Sequence, residues 1–395
     1  PAGVAGAARS ERAKLEAFLA EPWPVRHEPP VHEAFCALFR GEWRAVGQAL
    51  VSTVVRPPIL EPHPSEGEWV EFINGSPDEG HQALRLKRVL HRRFVIADLL
   101  AERYAERYRG LFVAMYLLSA CAVLAAIFGL LLPGSHATLG WKIVLVLLEI
   151  VLLTSILLLY RQGRRDEVHA RFVDYRALAQ ALRPMRALAT FAEHAQSGGP
   201  ARAAGGWRSW YQSATAREIG LPQGHLGATY QDSLLRSVAK AEVGRRIADH
   251  SVSRAAAQQV EHGLHQFGHV LFFGTMGILG LAAVLFLATY ISHDEGLGEW
   301  SLAAKPWVGF LAAAAPTIGA ALVAIRFTAD FAGQAQHSEE MVADLEDRQL
   351  ELTAARQKQD FETTRAALLS TARLQAEDVE AFLALYGRKH LALPG

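Results

Sequence analysis

Four long apolar runs decide most of what this chain can fold into: Leu111–Leu132, Trp141–Tyr160, Phe267–Ile291 and Trp307–Ile325. Crossing a bilayer's hydrocarbon takes about 20 mainly apolar residues, because each helical residue advances about 1.5 Å. One such run could be a buried core helix; four of them read as spans in two hairpins. Pro133-Gly134 cannot continue the first helix, and Arg161, Arg164 and Arg165 close the second. Trp141, Tyr160, Trp300 and Trp307 sit where amphipathic rings favour the membrane–water interface. Small residues at Gly274, Gly277, Gly280, Ala312 to Ala315 and Gly319 permit close helix approach in lipid.

Orientation follows from the basic flanks, since Lys and Arg near span ends stay on the cytoplasmic side. Arg92, Arg93, Arg103, Arg107 and Arg109 precede the first run, and Arg326 follows the fourth. Arg161, Arg164, Arg165, Arg171, Arg176 and Arg183 follow the second. The short connections 133–140 and 292–306 carry only Lys305 among Lys and Arg, beside Asp294, Glu295 and Glu299. Both termini and the central segment are therefore expected in the cytoplasm. Lys plus Arg and Asp plus Glu each number 40, so no charge excess favours a nucleic-acid partner. The two cysteines, Cys36 and Cys121, imply no disulfide framework. The chain opens Pro-Ala-Gly-Val with no initiator Met or cleavable signal pattern, and reads as part of a longer or processed product.

Helical periodicity organises the rest, so the expected fold class is all-α: an integral membrane protein with four transmembrane helices in two hairpins and long cytoplasmic amphipathic helices. Residues 1–81 form an N-terminal cytoplasmic segment and linker, and 82–165 a helix leading into the first hairpin. Residues 166–265 form a cytoplasmic helical region, 266–327 the second hairpin, and 328–395 the C-terminal helices. Residues 32–50 read as one amphipathic helix carrying Phe35, Leu38, Phe39, Trp43, Val46 and Leu50. Val168–Glu193 reads as a helix kinked at Pro184, and Thr229–His265 as one feeding the third span. Segments 56–64 and 197–206 read as Pro-rich and Gly-rich linkers. The amphipathic stripes need a partner surface, either each other or a neighbouring subunit.

Few side chains announce chemistry. Glu149 lies near the middle of the second span, where a charged carboxylate costs about 2.5–3.5 kcal/mol. It is either an ion site or gate at a wet surface, or a neutral, hydrogen-bonded group in helix packing. Pro316 removes a backbone hydrogen bond in the fourth span, as a gating hinge or an inert kink, and Thr317 beside it is the third pore candidate. Arg161, Arg164 and Arg165 fix topology and contact lipid or phosphate. His262, His265 and His269 share a face at i, i+3 and i+7. One straight helix does not easily converge three ligands on a tetrahedral ion, so they are weak zinc candidates and no metal is assigned. The sequence has no phosphate-cradling Gly loop, Ser/His/Asp constellation or Cys/His zinc pattern, and it reads as a non-enzyme without a cofactor.

After the first pair of spans comes Arg171-Phe-Val-Asp-Tyr-Arg-Ala-Leu-Ala-Gln-Ala-Leu-Arg183. This stretch resembles the cytoplasmic helix of the SLATT membrane modules of bacterial conflict systems, with its Tyr-Arg…Ala-Glu…Leu-Arg pattern. Asp174, Tyr175, Arg176 and Arg183 are its motif positions here, and Gln180 stands where the pattern has an acid. Trp207, Trp210, Tyr211, residues 217–222 and the tail 391–394 are similar to a larger four-span variant. In that variant the membrane region follows a nucleotide-sensing domain of SLOG or TIR type. The resemblance covers about residues 90–395. It implies an oligomeric effector of the bacterial inner membrane that permeabilises the bilayer or conducts ions once an upstream or partner sensor is triggered. A membrane anchor or assembly scaffold, and a small-solute or ion transporter, are the two other readings.

Overall fold

The computed structural model describes residues 2–23, 28–54, 65–75, 81–133, 136–193, 206–223, 225–292, 295–387 and 391–394. Among them every regular element is helical, and four helices are long and apolar enough to cross a membrane. The linker expected at 56–64, and the one expected at 197–206 except for Gly206, lie outside the described residues.

Four short helices come first: α1 (Ala2–Leu19), α2 (Val31–Arg40), α3 (Trp43–Val54) and α4 (Ser65–Gly75). The single helix expected over 32–50 is in fact two. Gly41 takes φ 76°, and its N–H closes α2 against the Ala37 and Leu38 carbonyls, a left-handed cap that suits glycine. Helix α3 then packs along α2.

Helix α5 (His81–Arg85), a π-helical turn at Leu86–His91 and α6 (Arg92–Leu131) run on without a break. The expected continuity of the 82–109 helix with the first apolar run is therefore present. Next come α7 (His136–Arg165), α8 (Val168–Leu182) and α9 (Met185–Thr190). The α8–α9 break falls at Arg183 and Pro184, where the proline predicted a kink. Helices α10 (Trp207–Ile219) and α11 (Ala228–Ser237) lead to a second π-helical turn, Val238–Gly244, and to α12 (Arg245–Ser292). Helix α13 (Glu295–Ala329) already includes much of the 292–306 connection expected to be a loop, since the good helix formers from Glu299 to Ala304 carry it through Pro306. Helices α14 (Phe331–Lys358) and α15 (Phe361–Tyr386) close the order.

In the apolar layer α6 and α13 pack on each other, α7 lies against α6, and α12 lies against α13. The inner pair has 22% of its most apolar window buried, against 6% for each outer helix. Lipid or another chain must cover the rest. Outside that layer, α6 lays Phe94, Leu100, Tyr104 and Tyr108 onto Phe172, Tyr175, Leu178 and Leu182 of α8. A second core gathers Phe72, Phe191, Leu234, Val243, Leu345, Leu352 and Leu368 from α4, the 190s turn, α11, the second π turn, α14 and α15. Each such side chain contributes about 1.5–3 kcal/mol by leaving water.

Candidate functional site: an ionic cleft at the base of the apolar helices

Helix α4 places Glu68, Trp69 and Phe72 on one inward face, at the i, i+1, i+4 positions of a helix. Across from them α9 carries Arg186, whose side chain is fully enclosed. Burying a guanidinium is tolerable only with partners, and Arg186 has several. It donates to Glu68 and to Glu242 of the second π turn, and lies over the Trp69 and Phe72 rings at 4.9 and 5.0 Å. Arg183 reaches the other Glu68 oxygen at 2.5 Å. On the adjoining face of α12, Arg246 donates to Asp378 of α15 at 2.5 Å, and His337 of α14 holds the second Asp378 oxygen at 2.8 Å. His250 stands 6.4 Å from the His337 ring. Three carboxylates thus balance three guanidiniums inside the protein.

The protonation states follow from these contacts. Burial would raise the Glu68 carboxyl, but Arg186 and Arg183 outweigh it and hold it below its usual range. Asp378 behaves alike: burial is overcome by the His337 hydrogen bond and Arg246. The same bond pulls His337 up, whereas burial and Arg246 push His250 down. Beside α6, His32 of α2 is driven to about 3 by burial and the nearby Arg109 and Arg40.

This network lines one end of a cleft of about 610 Å³ between α6, α8, α12, α14 and α15. Along it lie the Arg176–Asp98 pair, at 3.2 Å, and Arg109 and Tyr386 at the end towards the apolar layer. The motif residues of α8 therefore divide. Arg176 and Arg183 line the cleft, whereas Asp174 faces Arg208 at 3.7 Å. Tyr175 is buried and donates to Glu21 Oε1 at 3.3 Å, the oxygen that also accepts from Tyr104 at 2.8 Å and from Arg171. With Phe18 seated against Tyr175, Trp207 and Tyr211, ring centroids 5.2–5.4 Å apart, Glu21 fastens the N-terminal segment to the body.

The other candidates lie elsewhere. Glu149 is half-buried on α7 between exposed Leu148 and Ile150, and it lines neither the cleft nor the groove described next. Pro316 lines an apolar groove of about 550 Å³ between α12 and α13, together with Leu271, Thr275, Ala312 and Gly319. Thr317 donates to its own helix at Ala313, 2.9 Å away. Arg161 and Arg165 are exposed, and Arg164 reaches the Tyr160 hydroxyl at 3.3 Å. His265 and His269 sit ring to ring at 4.4 Å, whereas His262 meets Gln266 at 2.8 Å. Among the described residues no group of three or more His, Cys, Asp or Glu is placed to hold a metal ion.

Sequence reasoning missed Glu68, Arg186, Glu242, Arg246, Asp378, His250 and His337. A signal was there: Arg186 follows Met185 and precedes Ala187 and Leu188, and Glu242 lies between Ala241 and Val243, charges where an apolar face is due. No protein-family model, curated protein or solved structure matches this chain.

Proposed function

We propose that this chain is an oligomeric effector module of the bacterial inner membrane, SLATT-like, that conducts ions or permeabilises the bilayer when a sensor acts on its cytoplasmic helices. In this reading it has four transmembrane helices in two hairpins, both termini face the cytoplasm, it is no enzyme, and the trigger is a nucleotide-sensing domain upstream or in a partner. The observation that supports it best is the way α6 and α12 pass from their apolar stretches straight into the ionic cleft. A push on the cleft is a push on the spans. The sparse burial of α7 and α12 supports assembly with further copies. A membrane anchor for a sensor or catalytic domain is the second reading, favoured by one fact. The cavity found among the apolar helices is lined mainly by apolar side chains, as a dry groove would be.

Ion flux through liposomes holding the chain, alone and with candidate triggers, separates the two. The effector reading expects flux that Glu149→Gln alters. No flux under any trigger, with the chain correctly inserted, leaves the anchor reading standing. Flux that Glu149→Gln and Glu149→Leu both leave unchanged removes Glu149 from the pathway.

A further inference from the structure

Helix α2 touches the bases of two spanning helices at the same height. At its N-terminal end Pro29 O and Val31 Cβ lie 3.7 and 3.8 Å from where a Cβ on Gly110 would be, one residue before the first apolar run. His32 there stands 6.0 Å from the Phe112 ring and 6.1 Å from Phe331, just beyond the fourth run. At its C-terminal end the Phe39 carbonyl sits against Gly263, so closely that a Cβ there would collide with it. The Phe39 ring meets Phe267, the first residue of the third run, at 5.8 Å. A helix held at both ends by the entry points of different spans lies across the bundle, in the plane of the interface.

Helix α3 packs along α2 through buried Ala49 and turns a different face outwards. Trp43, Gly47, Leu50 and Val51 follow one another at i, i+4, i+7 and i+8, a single helical stripe. Trp43 is 71% exposed, Leu50 58% and Val51 66%, with Leu38 of α2 also exposed. An aqueous surface rarely keeps such residues side by side. Helix α2, against which α3 packs, leads on to the apolar layer, because Phe39 meets half-exposed Phe267 of α12, three residues before exposed Val270. The polar side is internally neutral, with Arg40 donating to Glu42 at 3.0 Å.

We propose that α2 and α3 form an interfacial helical hairpin whose Trp43–Leu50–Val51 stripe inserts into the headgroup–acyl boundary of the bilayer, on the leaflet where α6 and α12 enter. Its partner is the lipid surface itself, engaged through apolar burial and not through headgroup charge. The inference rests on the reading of the four apolar helices as spans.

The test uses the full chain in nanodiscs of neutral phosphatidylcholine. A fluorophore is placed on the thiol of Trp43→Cys or Val51→Cys, in a Cys121→Ala background with buried Cys36 left in place. Both sites are exposed, so the fold does not depend on them. The expected result is strong quenching by lipids brominated near the headgroup, protection from aqueous iodide, and a depth of about 5–10 Å. A probe at Val146→Cys on the outer face of α7 should report a deeper site. Iodide quenching as strong as that of a water-exposed control overturns the proposal while the α7 probe stays lipid-quenched. Cross-linking of this stripe between two copies overturns it too, replacing lipid by a second chain. If the α7 probe is not quenched by lipid either, the span reading falls and takes this inference with it.

Discussion

The extramembrane body and the apolar layer solve the partner problem in opposite ways. In the body, a side chain as costly to bury as Arg186 has two carboxylates and two aromatic rings around it, drawn from α4 and the second π turn. In the apolar layer, α7 points Ile143, Val146, Leu147, Ile150, Val151 and Leu158 outwards with nothing among the described residues to cover them. One region is closed and over-determined, the other open and waiting for lipid or more copies. Damage to the first should therefore cost stability steeply, and damage to the second should hardly register in the fold.

Glu68→Ala is the strongest way to break this contrast. It strips a carboxylate from both Arg183 and Arg186 and leaves a fully buried guanidinium under-compensated, a change that costs about 3–5 kcal/mol. Thermal unfolding in detergent should show a large drop; a loss no greater than that of an exposed charge would mean that the body is not closed. Next comes Gly263→Ala, where the new methyl meets the Phe39 backbone carbonyl and α2 must shift off α12. Overpacking of this kind costs about 1–3 kcal/mol, and proteolysis near residues 31–40 should become faster.

Acid provides a milder probe. The folded pKa of His32 lies far below the unfolded value of 6.5, so the unfolded chain binds the proton first and stability falls as pH drops below 6.5. By pH 5 the loss from His32 alone is about 2 kcal/mol. His250 adds to it, because its pKa is also lowered. His337 works the other way: its raised pKa gives stability that is fully present in acid and lost as pH climbs through the folded value. The unfolding midpoint should fall between pH 7 and pH 5, and His32→Leu should flatten that slope. Equal slopes in both proteins would refute the assignment. The smallest effect is expected on the open side, where Val270→Ala on α12 should stay within about 0.5 kcal/mol.

How much of this could be read in the sequence depends on the range of the forces. The four apolar stretches, the run of α6 out of its leading helix and the kink at Pro184 are local matters of length, periodicity and a missing N–H. They were legible. The break at Gly41 was not, because the apolar spacing of Phe39, Trp43 and Val46 continues across it and only a left-handed φ ends the helix. The ionic cleft was illegible for a different reason. Arg186 and Glu68 are 118 residues apart, and Arg246 and Asp378 are 132 apart. No periodicity joins such pairs; only the packing of α4, α9, α12 and α15 does.

The two π-helical turns, at Leu86–His91 and Val238–Gly244, have a consequence for angular phase. A wide turn houses one residue more than α geometry would, and successive α-helical residues are set about 100° apart around the axis. Every side chain downstream is therefore clocked round by roughly that angle from where an uninterrupted helix would aim it. Deleting a single residue within 238–244 would let that turn close as ordinary α-helix and leave the stripe of α12 that meets α13 in place, whereas the same deletion in the regular helix just after it would swing the rest of α12 by about a quarter-turn or slightly more.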